Sequence, residues 1–146
     1  MGQQTAARTA GGGVVVRVVV RVVDGALGTD RPGVASGGAG AVVWFEGVVR
    51  PGEDGMALEA LRYEVYPPMT ERVMRELAGE VAAAFGLTGL VVEHSVGRVA
   101  VGETSFRLGV AAEHRREALD AMDRFIARMK AEVPIWKVPV FAGGEG

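Results

Sequence analysis

From Val14 to Val23 the chain is almost entirely β-branched, broken only by Arg17, Arg21 and their spacing of four. So short and valine-rich a run predicts a strand rather than a helix. Residues 24–40 are rich in glycine with one proline and read as a loop, with room for a short helical turn. Ala41–Val49 predicts a second strand and Arg50–Gly55 a turn or mobile loop. In Leu58–Tyr66, Leu61, Tyr63 and Val65 alternate with Arg62, Glu64 and Tyr66, which gives a third strand one apolar face; Pro67-Pro68 ends it. The period then changes to that of a helix. Thr70 is placed to cap it, Val73, Leu77, Val81, Ala84 and Phe85 form its inward face, and Gly86 closes it. Leu90–Val96, Arg98–Val101 and Thr104–Ala111 read as three more strands, punctuated by Gly97 and Gly102-Glu103. A long helix runs from about His114 to Glu132, with Leu119, Met122, Phe125, Ile126 and Met129 as its core stripe.

Strands joined by short turns, with two amphipathic helices, predict an α+β domain on a largely antiparallel β-sheet. Residues 14–141 form that single domain, between an N-terminal tail, 1–13, and a C-terminal tail, 142–146, both expected to be flexible. A chain of 146 residues is long enough to bury roughly two-thirds of its unfolded surface.

Composition narrows the function. Sixteen basic against eighteen acidic residues give a net charge of −2, without the basic face a nucleic-acid backbone requires. There is no cysteine, which excludes a thiolate nucleophile, a persulfide carrier and a thiolate metal site. Two histidines, His94 and His114, without H-E-x-x-H spacing, do not suggest metal catalysis. No secretory pattern or membrane-length apolar run is present, so the expected location is the cytoplasm. The glycines of 24–40 match neither a dinucleotide-binding fingerprint nor a P-loop. Any anionic ligand must therefore be held by a few local cations.

The richest chemistry lies near the C-terminus. Lys130 and Lys137 stand seven residues apart across Pro134, which cannot donate a backbone hydrogen bond and pushes Val133 out of helical geometry. Lys130 should close the long helix, and Lys137 should lie on the extended segment that turns back beside it. Trp136 would offer Lys137 an apolar wall; the alternative is two solvated lysines, one favoured at a helix C-terminus. Arg50 ends a strand beside a glycine-containing loop. His114-Arg115-Arg116 opens the long helix, where three basic residues oppose the dipole unless an anion or carboxylate compensates. His114 and Lys130 are sixteen residues apart on that helix, about 24 Å at 1.5 Å per residue, too far to touch one small substrate. If both are functional, the site is shared across a dimer interface. His94 reads as structural, Glu103 as a turn or pairing residue, and Glu64 and Tyr66 as polar-face residues able to line a pocket.

Five stretches, in order, resemble the large (catalytic) subunit of molybdopterin synthase. They are Gly40–Arg50, Leu61–Thr70, Val96–Glu103, Glu113–Arg115 and Met129–Lys137. That family converts cyclic pyranopterin monophosphate into the molybdopterin dithiolene. The sulfur arrives as a thiocarboxylate on the C-terminal Gly-Gly of a small ubiquitin-like subunit, which fits a chain without cysteine and with no cofactor of its own. The resemblance implies Lys130 and Lys137 as catalytic lysines, the first in acid/base work or in assisting thiocarboxylate attack, the second in orienting and stabilising charge. It implies Arg50, His114 and Arg115 as the anion pocket, with His114 and Arg115 from a second protomer, and Phe45 as a wall. It also implies a heterotetramer built on a homodimer of large subunits. Val138-Pro139 departs from the family's usual basic and acidic residues, and Ser95 takes a position often basic. Val138-Pro139 motivates the alternative of a non-catalytic binding or scaffold protein on the same fold.

Overall fold

A computed structural model describes residues 3–10, 14–34 and 37–143. Strands β1 (Gln3–Ala10), β2 (Val14–Asp24), β3 (Ala41–Val48), β4 (Gly52–Glu53) and β5 (Met56–Val65) precede helix α1 (Met69–Ala84). Strands β6 (Gly89–Ala100) and β7 (Thr104–Ala112), helix α2 (Arg115–Glu132) and strand β8 (Ile135–Phe141) complete the chain.

The main sheet runs β1-β2-β6-β7-β3, with β2 and β6 parallel and the other neighbours antiparallel. Beyond Val96, β6 leaves these partners and pairs with β5, which pairs in turn with β8. Gly97, at φ +87°, makes that transfer. A positive φ is open to glycine at little steric cost, so the chain bends here without ending the strand. Gly97, expected as a break between two strands, is a bend inside one.

Both helices pack on one face of the main sheet. Val18, Val20 and Val22 of β2, Leu90 and Val92 of β6, and Leu108 and Val110 of β7 meet Met74, Leu77 and Val81 of α1 and Phe125 of α2. The opposite face is covered by residues 25–34, whose Val34 packs on Val19, Val91 and Ala111. Strand β2 is thus buried on both sides, which accounts for its near-unbroken valines. No helix occurs among the described residues of 24–40.

Several boundaries differ from expectation. Within the segment read as an N-terminal tail, Gln3–Ala10 forms β1, antiparallel to β2; residues 1–2 and 11–13 lie outside the described residues. Of the expected C-terminal tail, Ala142 and Gly143 turn after β8, and 144–146 lie outside the described residues. Pro68 is the N-cap of α1, and Thr70 sits inside the first turn. Ala84 and Leu119 are exposed rather than part of the core faces assigned to them. Among the described residues, no helix is long and apolar enough to cross a membrane.

Candidate active site

A cleft of about 480 Å³ opens between the end of β3, the β4–β5 hairpin, the C-terminal turn of α2 and the start of β8. Four of the six residues singled out from the sequence, Phe45, Arg50, Lys130 and Lys137, line it. Their convergence follows from the corner at Pro134. Val133 adopts extended geometry at φ −87° and ψ 126°, ending α2 as the proline requires. Thr70 Oγ1 accepts from the Tyr66 N–H at 2.8 Å and donates to the Pro134 carbonyl at 2.8 Å. This fixes the corner to the start of α1. Lys130 therefore stands in the last turn of α2, and Lys137 returns toward it on β8.

In the β5–β8 ladder, Lys137 is opposite Tyr63 and Trp136 is opposite Glu64. Successive strand residues point to opposite faces, so Lys137 and Tyr63 share the cleft side and Trp136 lies outside, 60% exposed. Trp136 is thus not the apolar wall expected for Lys137. Tyr63 stands on that side instead, and Glu53 Oε1 approaches Lys137 Nζ at 3.6 Å. The Asp54-Gly55 turn presents Glu53; both residues have positive φ, 52° and 78°, as a tight two-residue hairpin demands. Neither Arg50 nor Lys130 has an ion pair among the described residues.

The floor is polar but buried. Tyr63 Oη and Ser105 Oγ are hydrogen bonded at 2.8 Å. The His94 ring meets Tyr63 edge-on, 4.9 Å between centroids, and lies 5.9 Å from Phe106. His94 Nδ1 donates to the Ser95 carbonyl at 2.7 Å. Burial pushes the His94 imidazole below its ordinary value, against the opposing effect of the Ser95 carbonyl. Burial likewise pushes the Tyr63 phenol up; the Ser105 bond opposes this and the Glu53 charge adds to it. From sequence His94 has a structural place, and nothing local singles out Tyr63, Ser105 or Glu53 as site residues. Alternation had put Tyr63 on the apolar face, and that is the face the cleft opens on. Glu64 and Tyr66, considered as pocket residues for their polarity, lie on the other face and do not line it.

His114 and Arg115 are not in this cleft. Both are exposed at the opposite end of α2, about 24 Å from Lys130 by helix length. His114 lies 3.8 Å from Glu113 and 3.6 Å from Glu117, carboxylates that partly offset the basic cluster at the positive end of the helix. Glu103 is a turn residue, accepting the Ala100 N–H at 2.8 Å.

Sequence comparison identifies the chain's relatives. The MoaE protein family profile matches residues 26–132. The chain belongs to the MoaE protein family. The molybdopterin synthase catalytic subunit of Cereibacter sphaeroides is 37% identical over 131 residues, covering 88% of each protein. That of Arabidopsis thaliana is 38% identical over 107 residues, 73% of this chain and 54% of the relative. The chain spans about half the length of this plant relative. The crystal structure of molybdopterin synthase from Staphylococcus aureus superposes with a TM-score of 0.77 at 30% identity, covering 84% of this chain and 91% of that one. A complex of subunits 1 and 2 of the molybdopterin-converting factor from Helicobacter pylori shares the fold at TM-score 0.67 and 23% identity. The MoaE fold therefore agrees with the α+β, largely antiparallel architecture expected from sequence.

Proposed function

We propose that this MoaE-family chain is the catalytic subunit of a cytoplasmic molybdopterin synthase. It transfers sulfur from the thiocarboxylated C-terminal Gly-Gly of a small ubiquitin-like subunit to cyclic pyranopterin monophosphate. The observation that carries the reading is the convergence of Lys130, Lys137 and Arg50, from three separate elements, on one cleft. The named relatives support it.

Three cations within one cleft suit two anionic reactants, a phosphorylated substrate and a thiocarboxylate tail. Lys130 handles the proton transfers at the carbon that receives sulfur and assists attack by the thiocarboxylate. Lys137 orients the donor and stabilises developing negative charge, while Arg50 binds the cyclic phosphate and Phe45 walls the pterin. His114 and Arg115 complete the anion pocket from a second copy of the chain. Helix length supports that division, since one copy does not bring both ends of α2 to one small ligand. The assembly is then a homodimer of this chain with one small subunit at each end.

The test is to mix the protein with a thiocarboxylated small subunit and cyclic pyranopterin monophosphate and to assay molybdopterin. Product that disappears with Lys130→Ala is the expected result. A stable complex without product would favour the non-catalytic scaffold, for which Val138-Pro139 is the motivating departure. Neither product nor complex would leave only the family fold.

A further inference from the structure

The cations account for the cleft's anionic ligands, but not for its floor. His94 is 5% exposed, Tyr63 7% and Ser105 5%, and all three line the cavity. With Nδ1–H donated to the Ser95 carbonyl, a neutral imidazole has its lone pair at Nε2. Among the described residues no group donates to that nitrogen. In the Tyr63–Ser105 pair, one hydroxyl proton is used in the mutual bond and the other is left over. The floor therefore offers the cleft one acceptor and one donor, grouped around the Tyr63–His94 ring contact, 4.9 Å between centroids. Because these groups line the open cleft, a ligand that enters can take up this capacity in place of the hydrogen bonds they otherwise make to solvent.

We propose that His94 Nε2, with the Tyr63–Ser105 hydroxyl pair, is the subsite that reads the uncharged edge of the substrate. The ligand class is an amide-like ring edge that offers an N–H to His94 and a carbonyl or ring nitrogen to the spare hydroxyl. Under the proposed function this edge belongs to the pterin, and the inference rests on that reading. A purely anionic ligand, held by Arg50, Lys130 and Lys137, does not use the floor. His94 is thus a substrate-binding residue that sets specificity and orientation, while the lysines carry the chemistry.

Two substitutions separate this role from a structural one. His94→Asn keeps a donor for the Ser95 carbonyl and removes the acceptor at the Nε2 position. His94→Gln restores a carboxamide that reaches that position. Binding of cyclic pyranopterin monophosphate and of inorganic phosphate to the full-length protein would be measured by calorimetry, with Tm in parallel. His94→Asn should weaken pyranopterin binding about tenfold, the loss expected for one buried hydrogen bond, and leave phosphate binding unchanged. His94→Gln should recover most of it. Wild-type pyranopterin affinity in His94→Asn would overturn the subsite. So would equal weakening toward phosphate, or a failure of His94→Gln to recover binding at an unchanged Tm. A wild-type protein that bound no pyranopterin would overturn the functional reading itself, a result distinct from any of these.

Discussion

The two faces of β6 treat charge in opposite ways. On the face covered by residues 25–34, Arg21, Glu93, Arg107 and Glu46 stand directly opposite one another across β2, β6, β7 and β3. They form a ladder of alternating sign. Arg21 pairs with Glu93, Arg107 reaches Glu93 at 3.2 Å and Glu46 at 3.3 Å, and Arg31 closes the row on Glu46 at 2.8 Å. Arg107 also donates to the Gly28 and Asp30 carbonyls, tying the covering loop to the sheet. One residue further along β6, His94 faces the other way, into a cleft where Arg50 and Lys130 have no ionic partner among the described residues. Similar side chains thus do different work. In the ladder each buried charge is spent on its neighbour, which offsets its desolvation. In the cleft Lys137 has Glu53 beside it, while the charges of Arg50 and Lys130 are the ones the proposed function leaves for a ligand.

The sharpest way to break this comparison is to remove one charge from each region. Lys130→Ala should lower molybdopterin formation by about 10²–10⁴-fold, the range for loss of a proton-transfer group, with Tm and small-subunit binding unchanged. A variant with undiminished turnover would end the assigned role. Arg107→Ala should instead leave Glu93, 2% exposed, buried beside one remaining partner. Breaking such a pair costs about 3–5 kcal/mol, so Tm should fall by roughly 10 °C or more while the folded fraction keeps its turnover. An unchanged urea midpoint would mean that the ladder does not hold the loop.

A smaller effect tests whether the site is shared between two copies. Arg115→Ala should raise KM roughly tenfold through a lost phosphate contact and leave kcat nearly intact. Neither Arg115→Ala at low substrate nor Lys130→Ala supports normal turnover alone. Mixed one to one, they should recover about a quarter of wild-type rate at low substrate, since half the dimers are mixed and each has one complete site of two. No recovery on mixing would place Arg115 outside the partner's site.

The fold was legible where periodicity was clear. The alternation from Leu61 to Tyr66 gave the strand and its faces, and Pro134 gave the corner between Lys130 and Lys137. What escaped was set by register between distant strands. Arg21 looked like an interruption in a valine run; it is a rung opposite Glu93, and nothing local announces a partner 72 residues away. Gly97 looked like a strand end because a lone glycine does not tell a turn from a bend that moves one strand between sheets. Trp136 was assigned to Lys137 by adjacency, although neighbours in a strand face apart. Of the site, the cations were readable because charge near a helix end or a proline corner is a local signal. The floor was not, because Tyr63, His94 and Ser105 meet only through the pairing of β5, β6 and β7.

The smallest effect distinguishes the two faces by pH. The imidazole of His94 sits below its ordinary 6.5 because burial disfavours the cation. As pH falls below 6.5 the unfolded chain takes up a proton that the folded chain refuses, so stability is full above 6.5 and drains away down to the lower folded value. The slope in that window is about 1.4 kcal/mol per pH unit for a single group. Glu46 acts in a separate, more acid window. The two bonds from Arg31, then the one from Arg107, hold its carboxyl below 4.5 against the opposing effect of burial. Its contribution is therefore present above 4.5 and lost as pH falls through the folded value. Urea midpoints measured from pH 7.5 to 3.5 should show two losses, the upper one reduced in His94→Gln and the lower one reduced in Glu46→Gln. If His94→Gln followed the wild-type curve between pH 6.5 and 5, the imidazole would not be held neutral in the fold, and the acceptor on the cleft floor would go with it.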